Sequence, residues 1–125
     1  MSKINQNTLP INELTRANDA FRHVVRTGDK MQLVLMTIPS GKSIGGEVHE
    51  GHDQVLIFVE GTATARIGEI ESEVGPGDLA FVPSGAFHNF VNTGDGPLKL
   101  YTFYAPPEHD EGTEHETKAE AEADA

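Results

Sequence analysis

The sequence predicts a small all-β protein folded as a closed or double-sheet barrel. Three observations carry this. Gly, Pro, Asn and Asp punctuate the chain every eight to twelve residues. The runs between them are short and rich in Val, Ile, Leu, Phe and Tyr, as short strands require. No 3.6-residue amphipathic pattern precedes the C-terminal tail, and closure into a barrel or double sheet protects strand edges.

The elements follow in order. Residues 1–20 read as an N-terminal arm, with room for one short helical turn over 11–19. Strands are expected near 21–26, 31–38, 46–50, 54–59, 62–67, 70–74, 79–82, 87–91 and 98–104, making a barrel domain of residues 21–107. Between them, "TGDK", "PSGK", "GPGD", "PSG" and "NTGDGP" are turns: Gly supplies the left-handed backbone and Pro fixes the entry angle. Residues 108–125, "EHDEGTEHETKAEAEADA", read as a flexible, solvated acidic tail. No repeat of solenoid or propeller length is present.

A chain of 125 residues supports one domain with a modest core. It has no cysteine, which excludes disulfides and thiolate metal sites. The net charge of −11 is mostly local: residues 108–125 hold eight acids and one lysine, leaving −4 on residues 1–107. No basic stripe invites nucleic acid, and no apolar run approaches a membrane span or signal peptide. A cytoplasmic protein is the default expectation.

Two clusters carry chemistry. The stretch "GEVHEGHDQ", residues 46–54, concentrates His, Glu, Asp and Gln between a Gly-rich turn and an apolar run. Further on, Gly77, Pro83, Gly85, His88 and Asn92 recur at fixed intervals. His88 and Asn92 are four apart in an extended segment and share a face with Phe90.

At these residues the chain resembles the cupin superfamily, small double-stranded β-helix (jelly-roll) barrels with two signature motifs. All five fixed positions of the second motif match. The first motif fits in spacing from Gly41 through His49 to Gly61, with two departures: Glu47 stands where the family has its first His, and Gln54 where it has its Glu. The resemblance covers about residues 21–104 and implies one metal held inside the barrel by the residues at four positions, here Glu47, His49, Gln54 and His88. Two imidazoles, one carboxylate and one amide keep the single negative charge of the usual set, with a weaker oxygen donor. One divalent transition metal, Mn, Fe, Ni or Zn, is the expected cofactor. Gln54 either ligates it or orients a ligand.

Other candidates are weaker. His52 is three residues from His49, but the segment is not helical and position 52 matches no ligand position, so it is placed at the barrel mouth. Glu50 and Asp53 are expected to face solvent. His23, His109 and His115 have no assignable partner, although His109 could fold back near the mouth. Phe58, Phe90, Tyr101 and Phe103 either line the pocket or pack in the core. Parity separates Tyr101 and Phe103 from Leu98, Leu100, Thr102 and Tyr104 without saying which set faces inward. The "HEGH" string lacks the H-E-x-x-H spacing of metalloproteases.

These observations lead to a metal-dependent enzyme acting on a small oxygen-rich molecule, a sugar or hydroxy or keto acid, through isomerase, lyase or dioxygenase chemistry. Gln at the Glu position resembles some sugar-processing cupins. The rival is a non-catalytic ligand-binding or metal-free structural barrel. Homodimerisation is expected from the family resemblance.

Overall fold

The computed structural model describes residues 7–123; residues 1–6 of the expected arm and 124–125 of the expected tail lie outside the described residues. The chain begins with helix α1 (Ile11–Ala17) and continues through β1 (Arg22–Thr27), β2 (Gln32–Ile38), β3 (Glu47–Val48), β4 (Asp53–Glu60), β5 (Ala63–Ile67), β6 (Ile70–Val74), β7 (Leu79–Val82), β8 (Phe87–Asn92) and β9 (Leu98–Ala105). It ends with β10 (Glu114–His115) and helix α2 (Lys118–Ala123).

The strands form two antiparallel sheets, one ordered β10-β1-β2-β9-β4-β7 and the other β3-β8-β5-β6. Each expected strand is present. The alternation that announces them fixes their inner faces: Val34, Met36, Ile38, Leu56, Phe58, Ala63, Ala65, Phe90, Leu98 and Leu100 meet between the sheets as one core. Phe58 and Phe90 therefore pack in the core, their rings 5.8 Å apart.

In β9 the set that faces inward is Leu98, Leu100, Thr102 and Tyr104, all buried, while Tyr101 and Phe103 are half-buried on the outer face. The helix decides this parity. Helix α1 packs over the outer face of β9 and β4, where Lys99 Nζ donates to the carbonyls of Arg16 (2.8 Å) and Asn18 (2.6 Å). That cation caps the carbonyl end of a helix of only seven residues. Thr37 Oγ1 donates to the Asn18 carbonyl at 2.6 Å and accepts from Asn18 Nδ2, tying the same junction to β2.

The tail does not lie away from the barrel. β10 pairs with β1, Arg22 opposite His115 and His23 opposite Glu114, and Ala121 of α2 is buried against the core. Its acidic composition hides a few contact residues, whose burial comes from long-range pairing and not from local pattern. Residues 108–109 are held by the buried side chain of Gln32. Its Oε1 accepts from the backbone amides of Glu108 (3.2 Å) and His109 (2.9 Å), and its Nε2 donates to the His109 carbonyl (2.7 Å). These bonds deliver Glu108 to the barrel end described next.

Candidate metal centre and adjoining cavity

The two sequence clusters meet at one end of the barrel. Glu47 in β3 lies directly opposite His88 in β8, so both side chains share one face of the smaller sheet. Gln54 in β4 lies opposite Tyr104 in β9 on the larger sheet. His49 sits between them, its ring 5.2 Å from that of His88 and 5.8 Å from that of Tyr104. The turn of the second motif fixes the loop that carries it: the Gly85 amide donates to the His49 carbonyl at 3.0 Å. Ser84 extends the same link, its amide donating to Asp53 Oδ1 and its hydroxyl accepting from the Gly51 amide. Asp53 thus fastens the loop.

Glu47, His49 and His88 come together, Gln54 lies opposite Tyr104, and their hydrogen bonds say which lone pairs are available. His88 is 2% exposed, and its Nδ1 lies 3.2 Å from the Ala86 carbonyl. A carbonyl only accepts, so the proton belongs on Nδ1 and the Nε2 lone pair is left open. Burial lowers the His88 pKa below its ordinary value; the Ala86 carbonyl opposes this, His49 reinforces it and Glu47 opposes it. Gln54 is 4% exposed, and its Nε2 donates to Thr102 Oγ1 at 3.1 Å while its Oε1 is buried without a partner. Thr102 Oγ1 donates in turn to the Val55 carbonyl, so this hydroxyl has no second proton to offer. An amide suits this position because it can give Thr102 a hydrogen, which a carboxylate cannot.

His49 bridges two carboxylates. Its Nε2 is 3.4 Å from Glu47 Oε2, and its Nδ1 is 3.4 Å from Glu108 Oε1. The other Glu108 oxygen lies 2.9 Å from His52 Nε2, and His52 Nδ1 lies 2.8 Å from the Pro106 carbonyl. A chain Glu47–His49–Glu108–His52 therefore crosses the barrel mouth. His52 enters as the partner of Glu108. Glu108 is the residue the sequence reading missed: it lies outside both motifs, and only the Gln32 clamp brings it here.

The remaining orphan contacts lie nearby. Burial holds the Tyr104 phenol well above its ordinary pKa, with Arg22 pulling the other way, so Tyr104 is a neutral hydroxyl. His109 stacks edge-on against Tyr104 at 5.2 Å, and its Nε2 is buried without a hydrogen bond. Burial pushes the His109 imidazole down to about 3, with the Arg22 charge next in size. His23 is set apart, with Nε2 4.0 Å from Glu114 Oε1. A cavity of about 370 Å³ opens beside Glu47 and His49 and is bounded by Arg22, His109, His115 and Lys118.

No three His, Asp or Glu side chains among the described residues are arranged to hold a metal ion. The reason is visible: one of the four positions carries an amide, and Glu47 is turned onto His49. The donor chemistry nonetheless fits a cation. Gln54 Oε1 is unpartnered, His88 Nε2 is open, the Glu47 carboxylate faces His49 Nε2, and Glu108 on His49 Nδ1 is the kind of outer carboxylate that orients a ligating imidazole.

Comparison with known proteins agrees with this architecture. Residues 34–104 match the cupin domain family. The Bacillus subtilis protein YrkC is 41% identical over 119 residues, covering 90% of this chain and 64% of YrkC, so the chain spans about two thirds of that relative's length. The crystal structure of BH2720 from Bacillus halodurans superposes with a TM-score of 0.93 at 41% identity, covering 95% of this chain and 96% of that one. TT1209 from Thermus thermophilus superposes with a TM-score of 0.72 at 31% identity over 81% of this chain and 98% of that one. The matched segment holds β3 to β8 entirely, most of β2 and β9, and the turns of both motifs, and this chain belongs to the cupin family.

Proposed function

We propose that this cupin binds one divalent transition metal, Mn, Fe, Ni or Zn, through Glu47, His49, Gln54 and His88, and acts on a small oxygen-rich molecule. The observation that carries the reading is the pair of open lone pairs, the buried unpartnered Gln54 Oε1 and the His88 Nε2, together with the facing Glu47 and His49. A buried amide oxygen without a partner costs about 1–3 kcal/mol, which a bound cation would recover.

When bound, such a metal supplies Lewis acidity to a substrate oxygen. The chain's own groups do the rest. A carboxylate faces each ring nitrogen of His49, Glu108 at Nδ1 and Glu47 at Nε2. His52 holds Glu108 in place from the far side. Tyr104 presents a neutral hydroxyl, and the adjoining cavity gives a small molecule access to Glu47 and His49. An isomerase, lyase or dioxygenase acting on a sugar or on a hydroxy or keto acid is consistent with this arrangement.

Metal analysis of protein purified without added metal or chelator tests the first half. Binding confined to the native state raises the melting temperature, and the rise should disappear in His49→Ala. Protein that is free of metal and gives no melting shift with Mn, Fe, Ni or Zn overturns the reading. A screen of uronates, keto sugars and diols, with O₂ uptake followed, tests the second half. The direct Glu47–His49 pairing favours a second reading, a non-catalytic barrel that takes its ligand without metal. Metal-independent ligand binding without turnover would establish it.

We further propose a homodimer formed through β7, an edge strand on which Leu79 (58% exposed) and Phe81 (56% exposed) project outward. Sedimentation showing only monomer at micromolar concentration overturns this.

A further inference from the structure

The most unusual charge in the molecule is Arg22. It is 8% exposed, yet no carboxylate of the described residues lies within ion-pair distance of it. Its one hydrogen bond runs from Nη1 to His115 Nδ1 at 3.4 Å, its Nε is buried without a partner, and its guanidinium lies 5.3 Å from the Phe21 ring centroid. A cation–π contact and one long bond to an imidazole compensate poorly for a desolvated charge. Lys118, on the same cavity, likewise has no carboxylate partner among the described residues; its Nζ reaches Ser43 Oγ at 3.3 Å. Glu47, Glu108 and Glu122 line the same cavity, yet neither cation is paired with any of them among the described residues.

We propose that the cavity is a carboxylate subsite: a small carboxylate-bearing molecule pairs with the Arg22 guanidinium, Lys118 attracts it at the mouth, and its other end reaches Glu47 and His49. The placement of that other end rests on the metal-centre reading above; the pairing with Arg22 does not.

Size and charge select the class. About 370 Å³ is near the small end of ligand cavities, roughly 300–1,000 Å³. A single planar guanidinium matches a single carboxylate through two parallel bonds. A dianionic phosphate would instead meet Glu47, Glu108 and Glu122 on the same walls with twice the repulsion. Among the reactants considered above, this favours a hydroxy or keto acid over a neutral sugar. His109 lines the wall as a neutral ring whose pKa the Arg22 charge helps to lower, so it adds shape without adding a counter-charge.

The test uses glycolate, its neutral counterpart glycolamide, and inorganic phosphate, titrated by calorimetry at constant ionic strength into the full chain. One arm is stripped of metal with EDTA and the other is loaded with Mn. Glycolate should bind the stripped protein saturably and glycolamide should not. Arg22→Gln should weaken glycolate by at least about tenfold, and Lys118→Ala by a few-fold, as loss of charge-assisted bonds predicts. A purely structural Arg22 gives the opposite signature in stability. If Arg22 binds ligand, Arg22→Gln leaves the melting temperature of the stripped protein unchanged or higher, because an unpaired buried charge has been removed; a fall overturns the proposal. Absence of glycolate binding in the stripped arm, or tighter binding of phosphate than of glycolate, also overturns it. Arg22-dependent glycolate binding in the stripped arm together with no Mn uptake leaves the subsite standing and removes the metal centre.

Discussion

One carboxylate oxygen of Glu108 lies 3.4 Å from Nδ1 of His49, joining the C-terminal tail to the first motif. The contact is built by β2, not by the tail. Gln32 fixes the backbone of residues 108–109 through three bonds, so Glu108 arrives on a short, anchored segment. With His52 on its other oxygen, Glu108 has little freedom to turn away. An imidazole held this way keeps one direction, which is what a ligating or proton-carrying histidine needs.

Glu108→Gln keeps the shape and removes the charge. If Glu108 orients His49 toward a metal, affinity should fall by about 10–100-fold, the usual consequence of losing an outer carboxylate. Competition against a chelator dye measures this. The fold should persist, since the Gln32 bonds go to backbone groups that the substitution leaves in place. Unchanged metal affinity would make Glu108 a mere fastener of the loop.

Nine strands and the two motif turns were legible because their signals are local: alternation sets faces, and glycines set turns. The pairing of Glu47 with His88 and the burial of Gln54 follow from strand register. Glu108 and Arg22 were not legible. Glu108 sits in an acidic run that looks like any solvated tail, and Arg22 sits in a strand where a cation ordinarily faces water. Both acquire meaning from pairings across most of the chain, β1 with β10 and Gln32 with residues 108–109. The parity of β9 was likewise undecidable until α1 covered one face, with Lys99 holding its end.

Gly61, the last position of the first motif, tests the steric side of the pattern. Its φ is +89°, and an added Cβ would meet the Pro97 carbonyl oxygen at 2.6 Å and Leu98 Cα at 3.0 Å. Both obstacles are backbone and cannot swing aside. Gly61→Ala should therefore destabilise by roughly 2–4 kcal/mol, backbone strain and overpacking together. Gly77 has a similar φ of +92° but nothing within 4 Å. Gly77→Ala should cost only the backbone part, about 1–2 kcal/mol. Urea unfolding of the two variants checks the order.

His109 predicts a pH dependence. Burial, with Arg22 next, pushes its ring down to about 3 from an ordinary value of 6.5. Between those values the unfolded chain binds a proton that the folded chain refuses. Stability from this residue is thus complete above about pH 6.5 and is lost as pH falls toward the folded value. His109→Gln removes the difference, so its melting temperature should decline less steeply than wild type between about pH 6.5 and 4. Parallel declines in a pH series of melting curves would refute the assignment.

Gln54→Glu places the Glu of the first cupin motif at this position and separates two views of it. In metal-free protein the new carboxylate would be buried, would lose the bond that Gln54 Nε2 gives Thr102, and would face a hydroxyl whose proton is committed to Val55. Two acceptors in contact and a desolvated charge should lower stability by about 2–3 kcal/mol near neutral pH. A bound cation reverses the balance, because a carboxylate is a stronger donor than an amide and its charge is then paired. The variant should melt below wild type without metal and show a larger rise when Mn or Zn is added. A lower melting temperature with no larger rise would place position 54 outside the coordination sphere and leave its amide the structural task of satisfying Thr102.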